Sequence, residues 1–182
     1  MWINIDIKAL PHHGAAELTR RTHDLIVKHG RQARTVWGSG NEATADGCYE
    51  LDPSIPLIFT PRRVLIILAL FYTGLLPFVP LRETFLEVPL LTATDVALDA
   101  SLRPKLKYEA VGWLLRSRVL FWHLKRRGIS TWAWVYNSEA SFDRAFALGV
   151  DGVMTDRPAH LRRYLDARAG LASKAATGAE ML

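Results

Sequence analysis

The first strand-like run, Trp2 to Lys8, alternates isoleucine with polar residues: Ile3, Ile5 and Ile7 against Asn4, Asp6 and Lys8. Side chains alternate between the two faces of a strand, so the isoleucines face covering helices and the polar three face the other way. A carboxylate and an ammonium two residues apart at the C-terminal end of a strand suit a metal ligand, Asp6, and an anion stabiliser, Lys8. The same spacing suits a structural ion pair at an exposed strand end, and both readings stay open. Glu87 lies in the apolar run TFLEVPLL (84–91), on the same face as Phe85. A carboxylate there is costly unless partnered or solvated. It is therefore either a supporting acid or a strand-end group in water. Trp132, Trp134 and Tyr136 alternate along STWAWVYN (130–137); such a stripe serves as core or as a ligand platform. Asn137 or Ser138 reads as the cap of the helix that follows, and Asp156, before Arg157-Pro158, likewise reads as a cap. His12 and His13 follow Lys8 and read as a solvated loop, with an acid/base role as the alternative.

The elements that must position these groups alternate in type. Strands are predicted over 2–8, 34–39, 55–60, 84–91, 130–137 and 152–156. Helices are predicted over 15–29, 41–51, 104–127 in one or two pieces, 138–149 and 158–169, with a frayed tail over 170–182. Gly30, Gly128 and Gly149 end three of the helices and lead into strands, as in the short helix-to-strand loops of a parallel α/β fold. Six strand units can be counted, whereas a (β/α)8 barrel needs eight and typically about 250 residues. The fold class is α/β: an open parallel sheet, or a barrel short of two units.

Composition narrows the function classes. The chain has 182 residues, 49% hydrophobic and 23% charged, which fits one globular domain over 1–169. Cys48 is the single cysteine, and there is no CxxC, HExxH, GxxxxGK[ST] or GxGxxG. Common zinc sites and nucleotide-cradling loops are thereby excluded. No leader peptide is expected, because the strand-like run starts at once after Met1. The net charge is +5, but the basic residues are dispersed, so a nucleic-acid partner is not expected.

Residues 64–81, VLIILALFYTGLLPFVPL, carry no charge, with Arg62 and Arg63 before them and Arg82 after. A spanning helix needs about 20 apolar residues, so the run is borderline. Gly74, Pro77 and Pro80 break its second half. A core helix, a one-leaflet insertion and a full span all remain open. The insertion reading takes 62–81 as an apolar insertion, with Leu68, Leu70, Phe71 and Phe78 meeting lipid. The segment follows IPLIFT directly, so it leaves from the end of the sheet where a barrel's site would open.

The run WVYN, a helix and GVDGVMTDRP (149–158), together with Asp6-Ile7-Lys8, resemble the glycerophosphodiester phosphodiesterase family. That family carries a W-T-V-N-like strand, a last strand reading G-V-D-G-I-x-T-D-x-P and an acidic-x-Lys strand. FTPRRVLIILALFYTGLLPFVPLRETFLEVP resembles its membrane-associated lysophospholipase D branch. The resemblance covers residues 2–167. It implies a TIM barrel, here with about six of eight units and the N-terminal ones missing. It also implies a divalent cofactor, Mg²⁺ or Ca²⁺, held by Asp6; a catalytic Lys8 stabilising phosphoryl charge; and Trp134 lining the site. Glu87, from its place in the strand and not from the resemblance, is expected beside Trp134 as a substrate-binding residue. The implied substrate is a lysophospholipid or other glycerophosphodiester, and the implied place is the cytoplasmic side of an intracellular membrane such as the endoplasmic reticulum. The family's HRG motif, its Glu-x-Asp strand and its later histidine find no counterpart here. An N-terminally truncated enzyme is therefore expected, with an inactive membrane-bound or partner-binding remnant as the alternative.

Overall fold

The structure is a computed structural model and describes residues 2–8, 14–89 and 109–179. His12, His13, residues 90–91 at the end of one predicted strand and 104–108 at the start of one predicted helix lie outside the described residues. Strand β1 (Ile3–Asp6) is followed by α1 (Ala15–Lys28), β2 (Thr35–Gly38), α2 (Glu42–Leu51) and α3 (Pro61–Tyr72). Then come β3 (Phe85–Val88), α4 (Glu109–Leu115), α5 (Arg118–Arg126), β4 (Ser130–Ala133), α6 (Glu139–Leu148), β5 (Gly152–Val153) and α7 (Pro158–Ala179). The alternation expected from the sequence is present. α7 continues through the segment expected as a tail, to Ala179.

All pairings are parallel. β1 pairs with β2, and β3 with β4 and β4 with β5. The predicted strand 55–60 joins the two sheets through single bridges, Trp37 to Leu57 and Ile58 to Phe85. It is too sparsely paired to form a regular strand because Pro56 offers no N–H to the ladder; its carbonyl still accepts from Trp37 N at 2.9 Å. The β3–β4 ladder runs to Val88 and Ala133, with Trp134 N still donating to Val88 O, so β4 stops at Ala133 and not at Asn137. The result is an arc in sequence order: β1, β2, the 57–58 bridge, β3, β4, β5.

The outer face of the arc packs under helices. Ile7, Trp37 and Leu57 join Ile26 of α1 and Cys48 of α2, with Ile5 alongside. A larger cluster sets Leu86, Val88 and Ala133 against Val64, Ile67 and Leu68 of α3, Leu120, Phe121 and Leu124 of α5, and Phe142 of α6. Each such side chain stabilises the fold by about 1.5–3 kcal/mol relative to exposure. The inner face holds a smaller cluster of Val36, Ile58 and Phe85, with Trp132 against it.

α3 takes up the first half of the apolar run. Thr60 caps it, its hydroxyl accepting from Arg63 N at 3.2 Å, and Pro61 opens its first turn. It ends where Gly74 takes a left-handed φ of 75° and Leu75 N donates to Leu70 O at 2.8 Å. Twelve residues span about 18 Å, and none of the described helices is long and apolar enough to cross a membrane. The segment 61–72 is the crossover between the 57–58 bridge and β3, so it starts at the strands' C-terminal end and returns to their N-terminal end. There Arg127, just before β4, donates to Leu76 O at 2.8 Å and Val79 O at 2.7 Å. Phe78 therefore sits at the end of the sheet opposite the C-terminal strand ends.

Candidate functional site

The curl of the arc brings the inner faces of β1 and β3 into contact. Asn4 donates from Nδ2 to Glu87 Oε1 at 2.8 Å, and the Trp2 and Phe85 rings lie 5.6 Å apart. The curl is tight at Gly38, where a Cβ would come within 3.1 Å of Ile58 Cβ. At Gly152 a Cβ would meet Trp132 at 3.1 Å. A Cβ at either position would need its neighbour to give by a few tenths of an ångström, so glycine suits both close approaches.

Above this inner cluster, at the C-terminal ends of the strands, lies a cavity of about 280 Å³. Asp6, Ser39, Glu87 and Trp134 line one side of it; Phe59, Pro61, Val64, Leu65, Val88 and Leu115 line the other. Ser39 is fixed by donating to Ile7 O at 2.7 Å, and its hydroxyl accepts from Asn41 N at 3.1 Å. Asn41 in turn caps α2 by accepting from Thr44 N. Trp134 follows the last paired residue of β4 and is held by Trp134 N donating to Val88 O at 3.1 Å.

The predicted site residues fall in three groups. Asp6, Glu87 and Trp134 converge on the cavity. Lys8 does not line it. Its Nζ stands 3.2 Å from Asp6 Oδ2, with the lysine 82% and the aspartate 47% exposed. The ion pair at a strand end is thus real, and Asp6 also borders the cavity. Lys8 faces a wider groove of about 890 Å³ between α1 and α2, which Asp6 shares. An exposed pair of this kind adds little stability, so both groups stay available to a ligand. Leu68, expected to meet lipid, is buried in the main cluster, and Leu70 and Phe71 pack partly against it; Phe78 is 81% exposed.

Glu87 carries the most altered electrostatics. Its carboxyl is pushed up to about 7, first by burial and then by the charge of Asp6, while the Asn4 hydrogen bond opposes the shift. Near neutral pH it is therefore partly protonated and offers an O–H donor as well as an acceptor. The tryptophan stripe divides: Trp132 packs inside, its ring 5.1 Å from Phe85, Trp134 reaches the cavity, and Tyr136 is buried in the main core. Ser138 caps α6 as expected. Asn137 does not cap a helix; its Oδ1 accepts from Thr155 Oγ1 at 2.8 Å and Asp156 N at 2.9 Å, clamping two strand ends.

Hard divalent ions take about six or more oxygen ligands. Among the described residues no group of three or more His, Cys, Asp or Glu side chains is placed to hold a metal. Asp6 and Glu87 alone do not fit a Mg²⁺ or Ca²⁺ site. The sequence reading missed Asn4 as the partner of Glu87, Ser39, and the apolar wall from α3 and α4. The one available signal for the wall was that α3 is apolar on more than one face, more than a core-facing helix needs.

Comparison with known proteins agrees with this geometry. The family model for the glycerophosphoryl diester phosphodiesterase family matches residues 12–160. The chain is 41% identical over 167 residues to human lysophospholipase D GDPD1, covering 90% of this chain and 52% of that one. It is 35% identical over 153 residues to human lysophospholipase D GDPD3, covering 82% and 48%. The chain thus spans about half the length of the curated relatives it matches. A crystal structure from Silicibacter pomeroyi, assigned to the glycerophosphoryl diester phosphodiesterases, superposes with a TM-score of 0.61 at 17% identity, over 92% of this chain and 51% of that one. That likeness places the arc in a TIM-barrel-like α/β fold. A cavity at the strand C-termini, lined by an aspartate, a glutamate and a tryptophan, thus sits where such folds carry their sites, and the chain belongs to the glycerophosphoryl diester phosphodiesterase family.

Proposed function

We propose that this chain supplies one side of the site of a phosphodiesterase that hydrolyses glycerol-linked phosphodiesters of the lysophospholipid type. The observation that carries the reading is the convergence of Asp6, Glu87 and Trp134, from three strand ends, on one cavity. In the proposed reaction water adds to phosphorus as the bond to the head-group oxygen breaks. The products are a phosphomonoester and an alcohol, the alcohol taking up a proton. Lys8 offsets charge on the phosphoryl oxygens. Trp134 offers a flat apolar face to the carbons of the substrate. Glu87 hydrogen-bonds a substrate oxygen, as donor or acceptor according to its protonation. The oxygen ligands a divalent ion would need are not complete among these residues, so no step is assigned to a metal here.

The family's histidines and its Glu-x-Asp strand find no counterpart in these 182 residues, so we assign them to sequence outside this chain. Purified alone, the chain should release choline from lysophosphatidylcholine no faster than a buffer control, with Mg²⁺ or Ca²⁺ in excess. In a longer protein containing this segment, Asp6→Asn should lower turnover by about 10²-fold or more, since a charged ligand at the reacting centre is lost. Unchanged turnover with normal folding would remove Asp6 from the site and favour a non-catalytic remnant.

We further propose attachment to a membrane surface through the outward side of α3 and its neighbours. Leu65, Tyr72, Leu75 and Phe78 are exposed there, and Trp113 of α4 and Trp122 of α5 are 69% and 58% exposed. Tyr72 Oη donates to Leu114 O at 2.8 Å, which joins α3 to α4. Residues 110–138 hold no Asp or Glu, while Arg118, Lys125 and Arg126 lie along α5. Exposed aromatic groups beside cations suit an anionic lipid interface. Because Phe78 lies at the end of the sheet away from the cavity, this attachment is through a side wall and not around the mouth. Replacing Tyr72, Phe78 and Trp113 together by Ser should move the protein from sedimenting vesicles to the supernatant.

A further inference from the structure

The turn that follows α3 is held from outside itself. Arg127 Nη1 and Nη2 donate to Leu76 O and Val79 O at 2.8 and 2.7 Å. Within the turn, Phe78 N donates to Leu75 O at 3.0 Å and Val79 N to Leu76 O at 3.4 Å, while Pro77 and Pro80 have no N–H to add. Leu76 is 1% exposed there, and Phe78 beside it 81%. His123 lies in α5 four residues before Arg127, the C-cap, and so on the same face. Its Nε2 is buried and meets no hydrogen-bond partner among the described residues. A neutral imidazole leaves that atom one bare acceptor. An imidazolium has two N–H donors to place and a charge to set beside the Arg127 guanidinium. Burial and then Arg127 hold the His123 ring below the usual histidine range.

No carboxylate nearby is free to receive that charge. The run 64–81 has no charged residue, and 110–138 has no Asp or Glu. On the elements around them the acids are engaged: Glu83 with Arg63, Asp46 with Arg82, Asp151 with Lys125, Glu139 with His160, and Asp143 with Tyr164 and Arg168.

We propose that His123 and Arg127 form an acid-sensitive latch on the turn 76–79. Protonated His123 sets a second cation against the clamp, and the turn swings away, giving the ring water and uncovering Leu76 beside Leu75 and Phe78. Protons thus bind the released form better. The latch is fullest above about 6.5, the ordinary histidine value, and weakens as pH falls through it. Its effect on lipid rests on the membrane surface proposed above: uncovering Leu76 enlarges the apolar area, so attachment strengthens in acid.

Amide exchange followed by NMR on the whole chain tests the latch. Corrected for the pH dependence of the chemical step, protection of the Phe78 and Val79 amides should fall about three- to tenfold from pH 7.5 to pH 5.5. His123→Gln and His123→Phe, neither of which can take up a proton, should hold that protection constant. His123 is only half-buried, so both should fold, as circular dichroism would verify. Arg127→Ala should lower the protection already at pH 7.5 and remove the acid response. Constant protection in the wild type, or the same acid loss in either His123 variant or in Arg127→Ala, would overturn the latch. Sedimentation with phosphatidylcholine vesicles, which carry no net charge, should rise over the same pH interval in the wild type and not in His123→Gln. If the exchange response appears without that rise, the latch stands and the membrane surface falls.

Discussion

Glu83 lies two residues before β3 and Glu87 within it, and their surroundings differ in kind. Glu83, at the seam between α2 and α3, has a side chain 1% exposed. Arg63 Nε and Nη2 donate to its two oxygens at 2.7 and 2.9 Å, and Arg82 Nε approaches at 3.4 Å. Arg82 is itself paired with Asp46 and lies over the Tyr49 ring. Glu87, at the mouth, meets a neutral amide and a second carboxylate, and its carboxyl is pushed up to about 7. Burial alone therefore does not decide whether a carboxylate near this strand is stabilised as an ion. The sign of the neighbouring charge does. α3 links the two regions: Arg63 in its first turn is locked to Glu83, and the next two residues, Val64 and Leu65, line the cavity.

The largest expected effect breaks the seam. Glu83→Gln leaves Arg63 without its bidentate partner in a mostly buried position and should cost about 3–5 kcal/mol in urea unfolding. A loss below about 1 kcal/mol would place Glu83 among ordinary surface pairs. Next comes the far end of α3. Arg127→Ala removes two hydrogen bonds to Leu76 O and Val79 O and should cost about 1–3 kcal/mol. Ligand affinity at the mouth should be unchanged, since the turn it holds lies at the opposite end of the sheet.

Glu87→Gln sharpens the comparison from the other side. A carboxyl whose folded value is raised holds more protons in the native state than in the unfolded state between about 4.5 and about 7. Its contribution to stability is fullest below that window, falls as pH rises through it, and is constant above. Glu87→Gln should flatten that slope and raise stability at pH 8 by on the order of 1 kcal/mol, the mouth being partly open to solvent. Melting temperatures at pH 5 and pH 8 would show it; an unaltered slope would assign the pH dependence elsewhere. Smallest in stability is Phe78→Ser, within about 0.5 kcal/mol because the ring is exposed. Its effect should appear in vesicle sedimentation.

Local periodicity carried much of this molecule. The Ile-polar alternation of 3–8 placed Ile5 and Ile7 against helices and Asn4 and Asp6 inward, as found, but it also placed Ile3 under helices and Lys8 with Asp6, whereas Ile3 is 37% exposed and Lys8 lies outside the cavity. The break in the helical stretch before α5 follows from Ser117, whose hydroxyl accepts from Leu120 N and restarts the helix. Other features needed long-range information. Leu25 shares an apolar pattern in α1 yet is 58% exposed, because Thr19 and Ile26 face the sheet. The tryptophan stripe could not be divided into core and cavity members without knowing that the ladder stops at Ala133, one residue before Trp134.

The sequence by itself determined most element types, the parallel α/β class, the inward face of β1 and the family motifs, because these rest on local patterns; the run 55–60, read as a strand but joined only by single bridges, is an exception. Only the tertiary structure decided what those residues meet. The Asn4–Glu87 contact joins positions 83 residues apart, and the raised carboxyl of Glu87 exists only because the curl of the arc brings Asp6 near it. The uncharged run 64–81 was open to a core helix, an insertion and a span. The course of its helix was set by connectivity: a helix between two parallel strands must return along the sheet, burying Leu68 on the way and carrying Phe78 to the far end.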